Sequence, residues 1–152
     1  MKESTPQLDA NESTGFLLWQ VNAIWQRNVA AVLRVHDLTQ VQFALLASLM
    51  WLEKREDWVT QAMLARHAKL DEMMTSQVLR SLEKRGLIER HPHPRDTRAK
   101  HLLLTADGRV KTAEALPKVE MVDMEYFAVL ANQRKDFNQA LRTLIERGVC
   151  HG

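Results

Sequence analysis

The chain has 152 residues, of which 45% are hydrophobic, so it is long and apolar enough for one compact domain, with or without an appended helical part. This composition excludes a disordered chain, and one cysteine, Cys150, whose role the sequence leaves open, excludes an intrachain disulfide and fits a reducing cytosol. There is no signal-peptide pattern and no apolar run near the roughly 20 residues of a membrane span, so we expect a cytoplasmic protein without membrane contacts.

The net charge of +2 is small, but the charges are unevenly distributed along the chain. Residues 60–101 carry nine Lys and Arg against five Asp and Glu, whereas acidic residues outnumber basic ones in the remainder. Four of the six histidines also lie in this window. Such an asymmetry favours a polyanionic partner for one part of the molecule, although chance alone can produce it.

The first predicted helix spans Ser13 to Val35, where apolar residues recur at helical spacing. The repeating positions are Leu17, Leu18, Val21, Ile24, Trp25, Val29, Val32 and Leu33. With the aromatic residues beside it, this stripe is wider than one small core requires. We therefore expect part of it to contact a second subunit.

Two capped helices are predicted next. The segment Thr39-Gln40-Val41-Gln42 has the form of a capping box, and the helix that it opens should run to about Glu53. Trp58-Val59 is predicted to form a short extended pair. Thr60 is then placed to cap a short helix that ends near His67.

A fourth helix follows, with Asp71 as its cap and Gly86 as the glycine that ends it. Because only residues 68–70 separate it from the preceding helix, the two are predicted to form a helix-turn-helix. Leu87–His91 and Lys100–Leu104 are predicted to be the strands of a hairpin with a long loop. Helical spacing places one face of the fourth helix inward, namely Thr75, Val78, Leu79 and Leu82.

The C-terminal third is predicted to be helical. A helix should begin at Thr105, kink rather than stop at Pro117, and continue through Leu130. A last helix is predicted to begin at Asn132 and to end at Gly148. Its inward residues should be Phe137, Leu141, Leu144 and Ile145.

The outward face of the fourth helix carries candidate DNA-reading side chains. A recognition helix buries one side and presents polar or basic groups near its N-terminus on the other. Gln77 can pair with adenine through two hydrogen bonds, and Arg80 can pair with guanine or a phosphate. The alternative is an ordinary solvated helix face. The candidates are Met73, Met74, Ser76, Gln77, Arg80 and Lys84.

The loop between the two strands, His91-Pro-His-Pro-Arg-Asp-Thr-Arg, is basic, and its prolines limit the conformations that are lost on binding. We expect Asp96 to orient Arg98 through an ion pair, so that the guanidinium faces DNA. The alternative is a surface salt bridge that contributes little. The DNA-contacting candidates in this hairpin are Arg90, His93, Arg95, Asp96 and Arg98.

Other chemistries lack a comparable pattern. His91 and His93 have no cysteine and no third ligand at a recognised spacing, so no metal site is predicted. The chain has no nucleophile elbow and no glycine-rich phosphate loop, so we predict neither an enzyme nor a cofactor. A DNA-binding regulator is the leading interpretation. The alternative is a winged-helix module that binds proteins in a larger assembly without specific DNA recognition.

Several short motifs occur together between residues 38 and 108. They are Leu38-Thr39 with Gln42-Phe43, Leu64-Ala65, the string from Leu82 to Arg90, Asp96-Thr97-Arg98-Ala99, and Leu104-Thr105 with Gly108. On these residues the chain resembles the MarR family of winged helix-turn-helix transcriptional regulators. It departs from the family pattern at Met73-Met74, where relatives often have small hydroxyl residues, and in the doubled His-Pro of the loop.

The resemblance implies a mainly α-helical fold with a small antiparallel β wing, the wing being the hairpin and its loop. It implies an N-terminal tail and dimerisation helix in residues 1–35, a winged helix-turn-helix DNA-binding domain in 36–104, and C-terminal dimerisation helices in 105–152. It also implies a homodimer that binds double-stranded DNA at a pseudo-palindromic operator, usually as a repressor, with Arg98 entering the minor groove and Asp96 orienting it.

The same resemblance implies an effector, a small aromatic acid or phenol, whose binding releases the DNA. The residues that we expect to line its pocket are Trp19, Trp25, Arg27 and His36. The alternative for the tryptophans is that they form the core of the dimer interface.

Overall fold

The computed structural model describes residues 9–148, which form a mainly helical fold with a two-stranded antiparallel wing, as predicted. Its elements are α1 (Thr14–Leu33), α2 (Gln40–Glu53), α3 (Gln61–Ala68), α4 (Glu72–Lys84), β1 (Ile88–Pro92), β2 (Lys100–Leu104), α5 (Ala106–Phe127) and α6 (Arg134–Arg147). Cys150 and the first eight residues of the predicted N-terminal tail lie outside the described residues. None of the helices in 9–148 has the length and apolar character needed to cross a membrane.

Side-chain caps fix the start of α2, α3 and α4, as predicted. At α2 the Thr39 hydroxyl accepts the Gln42 amide at 3.1 Å, while the Gln42 side chain accepts the Thr39 amide at 3.0 Å, which completes the capping box. Thr60 and Asp71 each accept the amide three residues ahead, at 3.3 and 2.7 Å. Each cap satisfies a backbone donor that the helix itself leaves without a partner.

A hydrophobic cluster joins α2, α3, α4, the wing and α5 to the C-terminal end of α1. Leu46, Leu49, Leu64 and Leu82 are completely buried in it. Burying a leucine side chain stabilises a fold by about 1.5–3 kcal/mol, so this cluster fixes α4 by its inner face. The predicted inward face of α4 is confirmed, with Val78 half-buried at its edge and Thr75, Leu79 and Leu82 buried.

The motif Leu-Thr-x-x-Gly at residues 104–108 joins the wing to α5. The Thr105 hydroxyl donates to the Gly86 carbonyl oxygen at 2.6 Å and accepts the Gly108 amide at 3.0 Å, so one side chain ties the turn after α4 to the start of α5. Gly108 packs directly on the Leu87 carbonyl group, and a Cβ atom there would overlap that group. The motif therefore needs both its hydroxyl and its glycine.

Helix α1 is less buried within one chain than its apolar stripe suggests. Val29 and Leu33, near its C-terminal end, are buried, and Val21, Trp25 and Val32 are half-buried. The N-terminal half of the stripe is exposed, namely Leu17, Leu18 and Ile24. Only the last turns of α1 reach the core, which leaves the earlier turns available to another subunit.

The C-terminal helices differ from the prediction in their bounds. Helix α5 is continuous through Pro117, as predicted, but it ends at Phe127, and a 3-10 segment occupies Ala128–Gln133. Within that segment Ala131 has a φ of 47° and a ψ of −121°, a non-helical conformation that breaks the chain between the two predicted helices, so only the type of the last turn before it differs from the prediction. Helix α6 begins two residues after the predicted start, at Arg134, and it ends at Arg147 with Gly148 as its C-terminal cap, which is the glycine predicted to end it.

The predicted inward face of α6 is wrong in part. Phe137 and Leu141 are half-buried, whereas Leu144 and Ile145 are exposed. The helical spacing correctly identified one apolar face. It did not show that the second half of this face extends beyond the chain's own core.

Candidate nucleic-acid interface

Helix α4 buries one face and presents the other to solvent, as its spacing predicted. Thr75 and Leu79 are buried, and the Thr75 hydroxyl donates to the Asp71 carbonyl oxygen at 2.8 Å, which satisfies this buried polar group. On the opposite face Met73 is 74% exposed. Of the other predicted DNA-reading residues, Met74, Gln77, Arg80 and Lys84 are exposed and Ser76 is half-buried.

The turn between α3 and α4 is tight and internally bonded. Lys69 adopts a left-handed conformation with a φ of 56°, and the Leu70 amide donates to the Ala65 carbonyl oxygen at 3.0 Å. This arrangement closes the C-terminal end of α3. Because Leu64 and Ala65 anchor α3 in the core, the direction of α4 is set by packing rather than by a flexible linker.

Arg90 connects the wing to α4. Its Nε lies 3.3 Å from Oε2 of Glu83 near the end of α4, and only 22% of the Arg90 side chain is exposed. The pair is ionic but poorly aligned, because neither Nε nor Nη2 of Arg90 has a hydrogen-bond partner in the described part of the chain although both are shielded from solvent. Arg90 is thus a less accessible DNA-contacting candidate than the sequence indicated.

The wing loop is held by bonds to its own backbone. The Asp96 carboxylate accepts the Arg98 amide at 3.0 Å, and the Asp96 carbonyl oxygen accepts the Ala99 amide at 3.2 Å. The predicted ion pair between Asp96 and Arg98 is not formed: the salt bridges among residues 9–148 do not include it. Asp96 is bound to the backbone of the turn, so it orients Arg98 through the chain and leaves the guanidinium exposed.

Trp58, which the sequence did not single out, supports the wing from the turn before α3. The next residue, Val59, is buried, and its carbonyl oxygen accepts the Leu102 amide at 2.8 Å. The predicted extended pair Trp58-Val59 is misplaced, because Trp58 lies in a bend and the isolated β-bridge joins Thr60 to His101. The Trp58 ring lies 5.5 Å from the His93 ring and 5.3 Å from the Arg95 guanidinium carbon. The contact between Trp58 and the wing loop could not be predicted from the sequence, because no local pattern shows which distant loop a tryptophan packs against.

A basic concavity of about 510 Å³ separates the wing from the N-terminal end of α3. Arg90, Arg98 and Lys100 contribute cationic groups to it, and Asp96 contributes one carboxylate. This charge suits a DNA phosphate. Lys100 was not among the predicted residues, although its basic charge directly after the wing loop was a usable signal. The remaining lining residues are Thr60, Gln61, Ala62, Ala99 and Leu102.

The structure does not bring the four predicted effector-binding residues into one pocket. The Trp25 Nε1 donates to Oδ1 of Asp123 at 2.6 Å, at the edge of an apolar groove between α1, α5 and α6. Trp19, Arg27 and His36 do not line this groove, and Trp19 is 73% exposed. Its other lining residues are Leu18, Val21, Asn22, Phe127, Phe137 and Leu141.

A second cavity, of about 430 Å³, lies between α2, α3 and α5. Trp51 lines it, with the His67 ring stacked 5.0 Å away and the Arg55 guanidinium carbon 3.6 Å from the centroid of the indole ring. Lys54 adds a second permanent cation and Glu120 one carboxylate. The cavity thus combines an aromatic surface with a net positive lining. The apolar and small residues that complete it are Ala47, Ser48, Met50 and Leu116.

The histidines of the wing are paired rather than grouped. His91 faces His101 across the two strands with ring centroids 5.6 Å apart, and the His91 Nε2 lies 3.0 Å from Oε2 of Glu89. Within residues 9–148 no three His, Cys, Asp or Glu side chains form a group that could hold a metal ion.

Comparison with known proteins identifies the family. The sequence model of the MarR family matches residues 38–100. The chain is 43% identical over 136 residues to the HTH-type transcriptional regulator YdcH of Bacillus subtilis (strain 168), an alignment that covers 90% of this chain and 92% of YdcH. The chain belongs to the MarR family of transcriptional regulators. The resemblance inferred from the motifs between residues 38 and 108 is therefore confirmed.

Further relatives agree with this assignment. The HTH-type transcriptional repressor Rv2887 of Mycobacterium tuberculosis is 32% identical over 131 residues, which cover 86% of this chain and 91% of the relative. The fold matches that of MepR from Staphylococcus aureus in its DNA complex, with a TM-score of 0.81, 19% identity, and coverage of 91% of this chain and 99% of MepR. The predicted winged helix-turn-helix fold is confirmed.

Proposed function

We propose that this MarR-family regulator is a repressor that binds double-stranded DNA as a homodimer at a pseudo-palindromic operator and acts by binding rather than catalysis. In this proposal residues 36–104 read DNA, and the helices in 1–35 and 105–152 form the dimer. The protein works in the cytoplasm, where its DNA is. Relatives named as repressors and a neighbour solved on DNA support the proposal.

One observation carries the DNA-binding part. The outward face of α4 is solvated while its inner face is locked in the core, and a basic wing is tied to the same helix through Glu83 and Arg90. Gln77 and Arg80 are then placed for base edges in the major groove, and Met73 for thymine methyl groups. Arg98 is exposed at the wing, where it suits the minor groove or a phosphate.

The dimer part rests on apolar surface that one chain leaves uncovered. Leu17 and Leu18 on α1 and Leu144 and Ile145 on α6 are exposed, although each continues a helical stripe that packs inward elsewhere. Large apolar side chains left exposed on helices of this kind are typical of an interaction site. The groove around Trp25 lies between these helices, so we assign Trp25 to the dimer region rather than to an effector pocket.

Selection of bound duplexes from a random pool tests the proposal. A two-fold symmetric sequence should emerge, and the affinity for it should fall steeply with salt because phosphate contacts release counterions. The rival function is a winged-helix module that binds proteins only. Failure to bind any duplex at low salt would favour that rival.

We further propose that the cavity around Trp51 receives the effector, a small aromatic acid. Its volume is within the range of ligand pockets, Trp51 and His67 line it with aromatic rings, and Lys54 and Arg55 can attract a carboxylate. Because α2, α3 and α5 all line it, an occupant touches both the DNA-reading part and a dimer helix. This assignment replaces the predicted set Trp19, Trp25, Arg27 and His36.

Glu53 gives this cavity a physical route to the wing. It is the last residue of α2, and its carboxylate accepts the Leu104 amide at 3.0 Å and pairs with the Arg109 guanidinium at 2.8 Å. A shift at the end of α2 would therefore act on the last residue of β2 and on the first turn of α5. A panel of benzoates and phenols, screened for release of the selected duplex, tests the proposal. Trp51→Ala should abolish the response of any active compound.

A further inference from the structure

The tip of the wing does not stand free in solvent. Its residues from Pro94 to Arg98 are exposed, so no hydrophobic core holds them. The tip instead packs against Trp58. The centroid of the Trp58 ring lies 5.5 Å from that of the His93 imidazole and 5.3 Å from the guanidinium carbon of Arg95. Trp58 is itself fixed to the helix-turn-helix, because Val59 is buried and Thr60 caps α3.

His93 is the second support of the tip. Its Nδ1 accepts the amides of Arg95 at 3.1 Å and Asp96 at 3.0 Å, and its own amide donates to the Ala99 carbonyl oxygen at 3.3 Å. The flanking prolines at 92 and 94 have no amide hydrogen, so His93 supplies the sole backbone donor between them. An imidazole whose Nδ1 accepts two hydrogen bonds carries its proton on Nε2.

We propose that Trp58 and His93 are positioning residues, which hold the wing tip in its DNA-binding conformation before DNA arrives. The inference rests on the proposed DNA binding, and it explains part of the affinity of the wing for DNA. Ordering a mobile loop on binding costs conformational entropy, and a loop that is already braced avoids this cost. Arg95 and Arg98 are thereby presented at a fixed distance from α4.

The two residues have separable contributions. Trp58 supplies a flat aromatic surface, which attracts the Arg95 guanidinium and packs against the imidazole ring. His93 supplies an acceptor for two adjacent amides, which asparagine can replace in part because its side-chain oxygen is also an acceptor. We therefore expect Trp58→Phe and His93→Asn to retain more binding than the alanine variants at the same positions.

A double-mutant design tests the proposal on the selected duplex. An exposed cation–aromatic contact corresponds to about a two- to fivefold effect, and a dimer has two wings, so Trp58→Ala should weaken binding about tenfold. Trp58→Phe should stay within about threefold of the wild type. In the Arg95→Ala/Arg98→Ala background, Trp58→Ala should have less than about a twofold further effect, because the side chains that it positions are gone.

Equal losses in the two backgrounds would overturn the proposal, since Trp58 would then act on the fold or contact DNA itself. If Trp58→Ala fails to fold by circular dichroism, Trp58→Leu retains the apolar bulk without the ring and replaces it. NMR of the wild type is an independent arm. The His93 nitrogen shifts should show the Nε2-protonated tautomer, and the Arg95 and Asp96 amides should exchange slowly. Fast exchange of both amides would contradict the proposed support of the wing tip, whether or not the protein binds DNA. Failure of the wild type to bind any duplex would instead refute the proposed function.

Discussion

Replacing Gly108 with alanine separates local helix propensity from tertiary packing, because the two predict effects of opposite sign. Gly108 lies in the first turn of α5, and in an exposed helix a change from glycine to alanine stabilises by up to about 1 kcal/mol. In this structure a Cβ atom at residue 108 would overlap the Leu87 carbonyl group, which is backbone and cannot rotate away. The start of α5 must therefore move away from the wing.

The size of the effect follows from the bonds that such a movement strains. The Thr105 amide donates to the Leu87 carbonyl oxygen at 3.1 Å, and the Thr105 hydroxyl donates to the Gly86 carbonyl oxygen at 2.6 Å. Each such hydrogen bond contributes about 0.5–1.5 kcal/mol, and nearby core contacts of Leu87 are disturbed as well. Losing both bonds would cost about 1–3 kcal/mol, the gain in propensity offsets up to about 1 kcal/mol, and the disturbed packing of Leu87 adds a loss of about the same size. We therefore expect Gly108→Ala to lower the free energy of unfolding by about 1–3 kcal/mol in total.

Gly15 in the first turn of α1 is a matched control, because a Cβ atom there would meet no other atom within 4 Å. Gly15→Ala should raise the free energy of unfolding by up to about 1 kcal/mol. Urea unfolding followed by circular dichroism, at one fixed protein concentration because the protein is proposed to be a dimer, gives both values. A Gly108→Ala protein as stable as Gly15→Ala would refute the reasoning from packing.

Three further predictions concern the DNA contacts and one helix cap. Gln77→Ala should relax the preference at one base pair per half-site by about 1–3 kcal/mol in a duplex-selection assay, and a uniform loss across sequences would make Gln77 a backbone contact instead. Arg98→Ala should weaken binding to all duplexes and reduce the advantage of sites with a narrow minor groove, measured by fluorescence anisotropy; unchanged affinity would remove Arg98 from the interface. Thr39→Ala should cost about 1 kcal/mol in urea unfolding because α2 loses its capping box, whereas an unchanged midpoint would mean that Gln42 alone holds this end.

The parts of the fold that sequence predicted are those governed by local rules. The caps at Thr39, Thr60 and Asp71 depend on residues three positions apart, and the inner face of α4 depends on spacing within one helix. Both kinds of signal are complete within a few residues of chain. The end of α5 was predicted three residues too late, because residues 128–130 continue the helical spacing as a 3-10 segment, and spacing over one turn does not distinguish the two helix types. The backbone break at Ala131 falls between the two predicted helices.

In the candidate site, too, the features set by local spacing were predictable and those set by long-range contacts were not. The exposed face of α4, which is proposed to read DNA, was predictable because it is the complement of a buried stripe. The support of the wing by Trp58 was not, because it joins residues 35 positions apart whose pairing follows from the route of the strands. The ion pair expected between Asp96 and Arg98 fails on geometry: two residues apart in a tight turn, the carboxylate reaches the backbone amide before it reaches the guanidinium.

The two kinds of exposed surface on this chain are complementary in function. The helices outside the winged domain expose leucine and isoleucine, whereas α4 and the wing expose methionine, glutamine and arginine. An exposed apolar surface is buried against another apolar surface, whereas a basic surface binds a polyanion. In the proposed dimer, a two-fold axis through the apolar helices generates a second α4 and a second wing, so each phosphate or base contact made by one chain occurs twice on a symmetric operator. Because the affinity of the dimer then depends on the distance between the two α4 helices, which on B-DNA is about 34–36 Å, any occupant that moves α5 relative to α2 changes binding without touching a base.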